Sequence, residues 1–265
     1  MTAVAQNDSE LLFEEYLTAH GYSNWTHEAP VEGKRKKPDY RMDFGDSSLF
    51  FEVKEFDGPP PPMVCSYYDP YPPIREKINQ AVRQFKEYKD FSCSLVLANP
   101  KAAFAQLGDH WVILGAMLGN LGFTVPLEIV PGKKHPSENV FLGGGKMVNH
   151  KRQEPQNTTI SSVIVLGIYP LRQKTINIAI KNRQKELGRH TTFDEDLEFY
   201  EAIPDNPELR RPRVVVYQNP FARIPFRRDV FRGSFDETWG VEGKFIRRVF
   251  VGGEVARIES ALERE

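Results

Sequence analysis

The sequence predicts an α/β fold in which helices flank a central mixed β-sheet. Apolar residues recur at helical spacing over residues 9–20 and 73–89, and apolar runs of strand length lie between and after these segments. Glycine and proline separate the segments from one another. The first hundred residues therefore read as helix, strand, strand, strand, helix, strand. The last strand–helix–strand unit is expected to have parallel strands joined by a right-handed crossover.

The composition is that of a globular chain without an excess of either charge. The 265 residues are 40% hydrophobic and 27% charged, and the formal net charge is −1, so nucleic-acid binding would need local basic patches. The chain has no apolar run of membrane-span length and no signal-peptide core, which predicts a cytoplasmic protein without a membrane partner. Cys65 and Cys93 form no CxxC or CxxH pattern, so neither a disulfide framework nor a structural zinc site is expected.

Residues 9–20 predict an amphipathic helix. Ser9 is the expected N-cap, and Gly21 is expected to end the helix. Three carboxylates lie outside the apolar stripe, and by default they are solvated. These residues are Glu10, Glu14 and Glu15.

A β-hairpin is predicted next, and it brings three charged side chains together. A first candidate strand covers residues 24–29, and the hairpin strands cover 40–44 and 49–56. Side chains alternate between the faces of a strand, so Glu52 and Lys54 share one face. Asp39 precedes the first hairpin strand and is expected near their level. A salt-bridging lysine on a surface strand is the ordinary explanation, but the apolar Phe50, Phe51 and Val53 predict a buried strand.

Basic and proline-rich segments border the hairpin. Four consecutive cations, Lys34, Arg35, Lys36 and Lys37, directly precede the hairpin, and they form either a solvated loop or a set of phosphate contacts. Residues 58–73 are rich in proline and tyrosine. They predict either a stiff loop packed on the body or a flap whose tyrosines stack on unpaired bases.

Residues 73–89 give the clearest helical pattern, and 94–98 predict a buried strand. Gln84 and Tyr88 lie one helical turn apart, and Gln80 is an equally reachable amide. Beyond residue 100 we predict a buried helix or helix pair at 111–121, a short strand at 125–130 and a flexible glycine-rich loop at 132–156. Strands at 161–168 and 213–217, a helix at 175–187, an exposed acidic segment at 192–201 and a C-terminal helix at 254–265 complete the prediction.

A C-terminal segment interleaves arginine with phenylalanine between residues 221 and 232. Such a segment either grips a phosphate backbone or forms a strap whose phenylalanines dock into the core, and we favour the strap. Phe221, Phe226 and Phe231 are the phenylalanines concerned. We expect a single domain over residues 1–265, with a core at about 9–100 and an elaboration at about 101–265.

Pro38-Asp39 followed by Glu52-Val53-Lys54 resembles the PD-(D/E)xK signature of restriction-endonuclease-like nucleases. The predicted αβββαβ order is that of the same superfamily, and the resemblance covers about the first hundred residues. The Gln84 and Tyr88 pair is similar to a helix motif of RecB-like and lambda-exonuclease-like nucleases. The position of Glu10 in the first helix is similar to that of a glutamate in archaeal Holliday-junction resolvases.

The resemblance implies a Mg²⁺-dependent nuclease that hydrolyses phosphodiester bonds in DNA, with Mn²⁺ as a substitute. Mg²⁺ would be held by Asp39, Glu52, the Val53 carbonyl and Glu10, with Glu14 in reserve. Lys54 would assist the attacking water, and Gln84 would position a phosphate, a water or the lysine. The implied nucleic-acid contacts are Lys34, Arg35, Lys36, Lys37 and Tyr88.

Two other functions stay open at this point. The first is a catalytically silent nucleic-acid-binding module with a nuclease-like fold. The second is a metal-independent enzyme or scaffold in which Glu52 and Lys54 form a structural salt bridge. A homodimer is compatible with the nuclease hypothesis, because metal-dependent cleavage by these enzymes often involves two active sites. The sequence does not choose among duplex, single-stranded, junction and RNA substrates.

Overall fold

A computed structural model describes residues 6–56, 69–101, 106–124, 138–149, 154–206, 210–243 and 245–263. Its described elements form an α/β architecture with ten strands in one mixed sheet. The helices are α1 (Asp8–Ala19), α2 (Tyr71–Gln84, extended by a 3₁₀ turn at Phe85–Glu87), α3 (His110–Leu118), α4 (Leu171–Leu187), α5 (Phe193–Ala202) and α6 (Gly253–Glu263). The strands are β1 (Trp25–His27), β2 (Tyr40–Phe44), β3 (Ser47–Glu55), β4 (Ser92–Ala98), β5 (Gly119–Thr124), β6 (Glu138–Gly144), β7 (Ile160–Tyr169), β8 (Arg211–Gln218), β9 (Glu237–Glu242) and β10 (Phe245–Val251).

The strands follow the spatial order β1-β2-β3-β4-β7-β8-β9-β10-β6-β5. The hairpin β2–β3 is antiparallel, whereas β3–β4 and β4–β7 are parallel, with Glu52 opposite Leu95. The predictions of a mixed sheet flanked by helices and of a parallel strand–helix–strand unit are therefore confirmed. The identity of the first hundred residues with a nuclease core stays a prediction.

Helix α1 begins at Asp8, and its N-cap lies two residues before the predicted one. Asn7, not Ser9, is the N-cap, because its side chain accepts from the Glu10 N–H at 2.9 Å while the Glu10 carboxylate accepts from the Asn7 N–H at 3.0 Å. Ser9 is instead buried, and its hydroxyl donates to Glu55 at 3.1 Å. Gly21 follows the helix with φ of +71°, as predicted for a helix-ending glycine.

Hydrophobic side chains cover both faces of the central strands. Phe50 belongs to one core cluster, with residues of α2 and α3, and Phe51 belongs to another, with residues of α1. This division follows from the alternation of side chains along β3. Phe226 and Phe231 lie in the α1 cluster, and Phe221 packs against the other cluster at partial burial. The predicted strap with docked phenylalanines is therefore confirmed.

The glycine-rich segment differs most from its prediction. Part of the predicted loop at 132–156 is strand β6, and the helix predicted at 111–121 ends at Leu118, where β5 begins. A Cβ at Gly119 would overlap the Gly143 carbonyl, and one at Gly145 would overlap the Met117 carbonyl. The glycines thus allow a close backbone approach rather than a mobile loop. The strand predicted at 125–130 lies outside the described residues.

Three further elements were not predicted as such. The acidic segment at 192–201 forms helix α5, and β9 and β10 add an antiparallel pair to the sheet.

Within the described ranges, no helix combines the length and apolar character needed to cross a bilayer.

Candidate metal centre

The β2–β3 hairpin brings Asp39, Glu52 and Lys54 together. Tyr40 pairs with Phe51, so Asp39 precedes β2 at the level of Glu52. Asp39 Oδ2 accepts from the Val53 N–H at 2.7 Å, and Lys54 Nζ donates to Glu52 Oε1 at 2.5 Å. The hairpin geometry expected from the sequence is thus present, with two carboxylates and one ammonium in a small patch.

The Val53 carbonyl lies at the same edge of β3 as Asp39. In a strand, the N–H and C=O of one residue point to the same edge, and the Val53 N–H points to Asp39. The pairing of β2 with β3 ends at Tyr40 and Phe51, so β2 supplies no backbone partner for Val53. A third oxygen donor is therefore placed beside the two carboxylates.

Among the side chains of this patch, Glu52 has the least favourable environment for its ionised form. It is 4% exposed, and its Oε2 is buried without a hydrogen-bond partner in the described part of the chain. Burial, followed by the nearby Asp39 charge, raises the pKa of Glu52 to about 7, against the opposing effect of Lys54. Burial also raises the pKa of Asp39, and the charge of Glu10 adds to this effect. A bound cation would relieve both penalties.

Glu10 and Glu14 are engaged elsewhere. The Glu10 carboxylate caps α1, although its charge is close enough to act on Asp39. Glu14 accepts hydrogen bonds from Tyr40 at 3.0 Å and from Gln6 at 2.6 Å. Among the residues described, no three His, Cys, Asp or Glu side chains converge closely enough to hold a metal ion. The donors that the structure brings together are Asp39, Glu52 and the Val53 carbonyl, and all three are the hard oxygen ligands that Mg²⁺ prefers.

Gln84 and Tyr88 bind the segment of four cations at residues 34–37, which we call the basic loop. The sequence motif did not indicate this role. Gln84 Nε2 donates to the Lys37 carbonyl at 2.5 Å, so its amide is not directed to Lys54. The Tyr88 hydroxyl donates to the Lys36 carbonyl at 2.5 Å. Tyr88 is fully buried, so its ring offers no surface to a nucleic acid and the prediction of such a contact must be corrected. Both residues hold the segment that leads into Asp39.

The four cations of the basic loop divide into two pairs. Lys34 Nζ donates to the Glu87 carbonyl at 2.6 Å, and Lys36 Nζ donates to the Arg83 carbonyl at 3.1 Å. Lysines at these carbonyls stabilise the C-terminal end of a helix. The Arg35 and Lys37 side chains are exposed and form no hydrogen bond or ion pair with described residues. Arg35 and Lys37 are thus the two cations of this loop whose charged groups have no partner among the described residues.

The predicted tyrosine flap falls mainly on residues 57–68, which lie outside the described ranges. Tyr71 begins α2 and stacks under the Arg75 guanidinium, 5.0 Å from the ring centroid. It also lies against Gly115 of α3, where a Cβ would overlap the tyrosine ring. The described end of this segment thus packs on the body, as one of the two interpretations predicted.

A separate cavity of about 600 Å³ lies on another side of α1, near the ends of β4 and β7. Its lining includes Leu12, His110, Arg213 and Tyr217, and His110 Nδ1 lies 2.6 Å from the Tyr217 hydroxyl. Sequence reasoning missed this cavity, because a single histidine far from any motif carries no recognisable spacing.

Comparisons with protein-family models, with curated proteins and with solved structures found no match for this chain.

Proposed function

We propose that this chain is a metal-dependent deoxyribonuclease whose metal ligands are Asp39, Glu52 and the Val53 carbonyl. The buried, unpaired Oε2 of Glu52 beside Asp39 is the observation that carries the proposal. Buried carboxylate oxygens are costly unless they are hydrogen-bonded, ion-paired or bound to a metal. The resemblance of Pro38-Asp39 and Glu52-Val53-Lys54 to the PD-(D/E)xK signature supports the same reaction class.

A purely structural salt bridge accounts less well for this arrangement. Lys54 satisfies only Oε1 of Glu52, and the second oxygen is left buried and unpaired in the described structure. Asp39 adds a second desolvated carboxylate next to Glu52 and thereby raises the Glu52 pKa. A structural ion pair would be more stable without Asp39 at this position, because like charges destabilise each other in a buried site.

The proposed roles follow from the positions of the residues. Bound Mg²⁺ supplies Lewis-acid stabilisation of the negative charge that develops on the scissile phosphate. Asp39 and Glu52 hold the cation in their ionised forms. Lys54 keeps an ammonium beside the reacting phosphate, where it opposes the developing charge and orients the attacking water. Arg35 and Lys37 bind the phosphate backbone on the approach to Asp39.

Cleavage assays test this proposal directly. Purified protein is incubated with plasmid and with duplex, single-stranded, flap, four-way-junction and RNA oligonucleotides, in Mg²⁺, Mn²⁺ or EDTA. We expect metal-dependent cleavage of DNA that Asp39→Ala, Glu52→Ala and Lys54→Ala each abolish, while circular dichroism and DNA binding stay close to those of the wild type. Glu76→Ala, a change of an exposed carboxylate on α2, is the matched control and should cleave normally.

The same assay distinguishes the proposed nuclease from a catalytically silent nucleic-acid-binding module. A wild-type protein that binds DNA but cleaves none of the substrates in either metal would be a binding module. Wild-type cleavage rates in Lys54→Ala would refute the proposed mechanism. Calorimetric titration with Mg²⁺ alone tests the ligands independently, because Asp39→Ala and Glu52→Ala should lose metal binding even where no substrate is present.

A further inference from the structure

The cavity of about 600 Å³ beside α1 has the size and the lining of a small-molecule site. Ligand pockets generally measure about 300–1,000 Å³ and are walled mainly by apolar side chains with a few polar groups. This cavity lies where the parallel strands β4 and β7 end, which is the edge at which α/β sheets commonly bind ligands. Its apolar walls include Leu11, Leu12, Leu107, Val165, Ile168 and Val215.

His110 offers this cavity a hydrogen-bond donor. Its Nδ1 lies 2.6 Å from the hydroxyl of Tyr217, which is 1% exposed. The buried phenol has no other hydrogen-bond partner among the described residues, so its O–H donates to Nδ1 and the imidazole proton lies on Nε2. Burial lowers the pKa of His110, which keeps the ring neutral at pH 7. The Nε2–H has no partner in the described part of the chain and is available to an acceptor on a ligand.

The wall formed by β8 carries positive charge. Arg210 directly precedes this strand, is exposed, and forms no side-chain hydrogen bond or ion pair with described residues. Arg213 uses Nη1 for an ion pair with the buried Glu237 at 2.9 Å, whereas its Nε and Nη2 have no such partner there. The Arg213 charge contributes to the lowered pKa of His110, so these two side chains lie near each other. The ion pair thus positions a guanidinium that keeps donors for a ligand.

The wall formed by α1 limits the charge that a ligand can carry. Asp8 and Glu15 also line the cavity, and both are exposed. Lys101 lies 3.9 Å from Asp8, whereas Glu15 has no ion-pair partner among the described residues. A dianion would be repelled by this wall. A monoanion can place its single charge at β8 and its apolar body between the two walls.

We propose that this cavity binds a small apolar monocarboxylate. His110 and Arg213 donate hydrogen bonds to the carboxylate, Arg210 supplies an unpaired positive charge, and the apolar walls cover a hydrocarbon or aromatic body. Arginine suits this anion because its planar N–H groups match the two carboxylate oxygens. The site does not rest on the proposed nuclease activity, since no residue of the cavity belongs to the candidate metal centre.

Calorimetric titration in EDTA tests this assignment. The probes are naphthalene-2-carboxylate, octanoate, the neutral naphthalene-2-carboxamide and the dianion phenyl phosphate. We expect both carboxylates to bind at one site per chain. The carboxamide and phenyl phosphate should bind about tenfold more weakly or less, as for the loss of a charge-assisted hydrogen bond. Lys54→Ala should bind the carboxylates as the wild type does, which separates this site from the proposed nuclease activity.

Two variants locate the ligand. Gly167 lines the cavity, and a Cβ there would meet no heavy atom within 4 Å beyond the adjacent residues, so Gly167→Phe should fill the cavity and abolish binding. Gly253→Phe is the matched control, because Gly253 has the same open space and lies outside the cavity. Arg210→Gln should weaken carboxylate binding about tenfold and leave carboxamide binding unchanged. Circular dichroism confirms that the variants are folded.

Three results would overturn the proposal. The first is the absence of carboxylate binding at millimolar concentration. The second is equal or tighter binding of the carboxamide or of phenyl phosphate, because the site would then not select a monoanion. The third is carboxylate binding that Gly167→Phe or Arg210→Gln leaves unchanged, since the ligand would then lie elsewhere.

Discussion

Glu52 is a buried carboxyl group on β3, between the apolar Phe51 and Val53. Two neighbours act on it in opposite directions, because Asp39 raises its pKa and Lys54 lowers it. Burial is the largest effect, so the metal-free protein holds Glu52 with a pKa of about 7. A cation bound at the proposed site would favour the ionised form of Glu52. The protonation state of Glu52 would therefore report whether a cation is bound.

The stability of the metal-free protein should therefore fall as Glu52 ionises. The pKa of Glu52 is raised from 4.5 to about 7, so its contribution is fully present below pH 4.5 and is lost as the pH rises through 7. Glu52→Gln removes this loss, and relative to the wild type it should gain on the order of a few kcal/mol between pH 4.5 and 8, at about 1.4 kcal/mol per pKa unit. Urea denaturation in EDTA at several pH values measures the difference.

Magnesium supplies the control for that measurement. At pH 8, Mg²⁺ should raise the free energy of unfolding of the wild type, because the proposed site would bind the cation through ionised carboxylates of the folded protein. Glu52→Gln should show a much smaller gain. Parallel pH profiles for the two proteins would contradict the assignment of the titration to Glu52.

At the scale of elements, the end of α2 and the basic loop form one unit. Lys34 and Lys36 bind carbonyls at the end of the helix, while Gln84 and Tyr88 bind carbonyls of the loop. Donors thus run in both directions between the two segments. The loop that precedes Asp39 is therefore held both by its own lysines and by side chains of the helix end, which explains how this run of cations adopts a defined path.

Tyr88→Phe tests this connection between helix and loop. The change removes one hydrogen bond and leaves the Lys36 carbonyl without its donor, so we expect a loss of about 1 kcal/mol in the free energy of unfolding. Amide hydrogen exchange should quicken in the loop at 34–37. Tyr71→Phe is the control, because the Tyr71 hydroxyl forms no hydrogen bond with described residues; equal stabilities for the two variants would contradict the role given to Tyr88.

At the scale of the whole molecule, the segment after residue 100 completes the sheet and the core. Strand β7 pairs with β4, and Phe231 lies 5.8 Å from Phe51 and 6.3 Å from Phe13, measured between ring centroids. Asp236 connects the C-terminal segment to α1, since it accepts from the Tyr16 hydroxyl at 2.5 Å. The strand that carries Glu52 is therefore supported from both parts of the chain.

Asp236→Ala should destabilise the entire protein. Asp236 is fully buried and also accepts from the Gly233 N–H at 2.7 Å and the Val214 N–H at 2.9 Å, so its removal leaves two buried donors and one half-buried donor unpaired. We expect a loss of at least ~3 kcal/mol in the free energy of unfolding. Asp229→Ala removes an exposed carboxylate and should cost less than about 1 kcal/mol. Urea denaturation of both variants decides the comparison, and equal losses would count against this role of Asp236.

Local patterns in the sequence determined the helices and strands of the first hundred residues. The period of apolar residues placed α1, β2, β3, α2 and β4 with shifts of only a few residues at their ends. The juxtaposition of Asp39, Glu52 and Lys54 was also predictable, because a hairpin connects residues that are close along the chain. The fold class and the strap of docked phenylalanines follow from the same apolar patterns.

Only the tertiary structure decided which partners the polar side chains take. Gln84 and Tyr88 bind the basic loop, and Asp236 bonds to Tyr16 from 220 residues away. The pairing of β9 and β10 and the helical conformation of α5 likewise became visible only in the folded chain. The physical reason is range: apolar periodicity records which face of an element is buried, whereas a hydrogen-bond partner depends on which distant segment folding brings within about 3 Å.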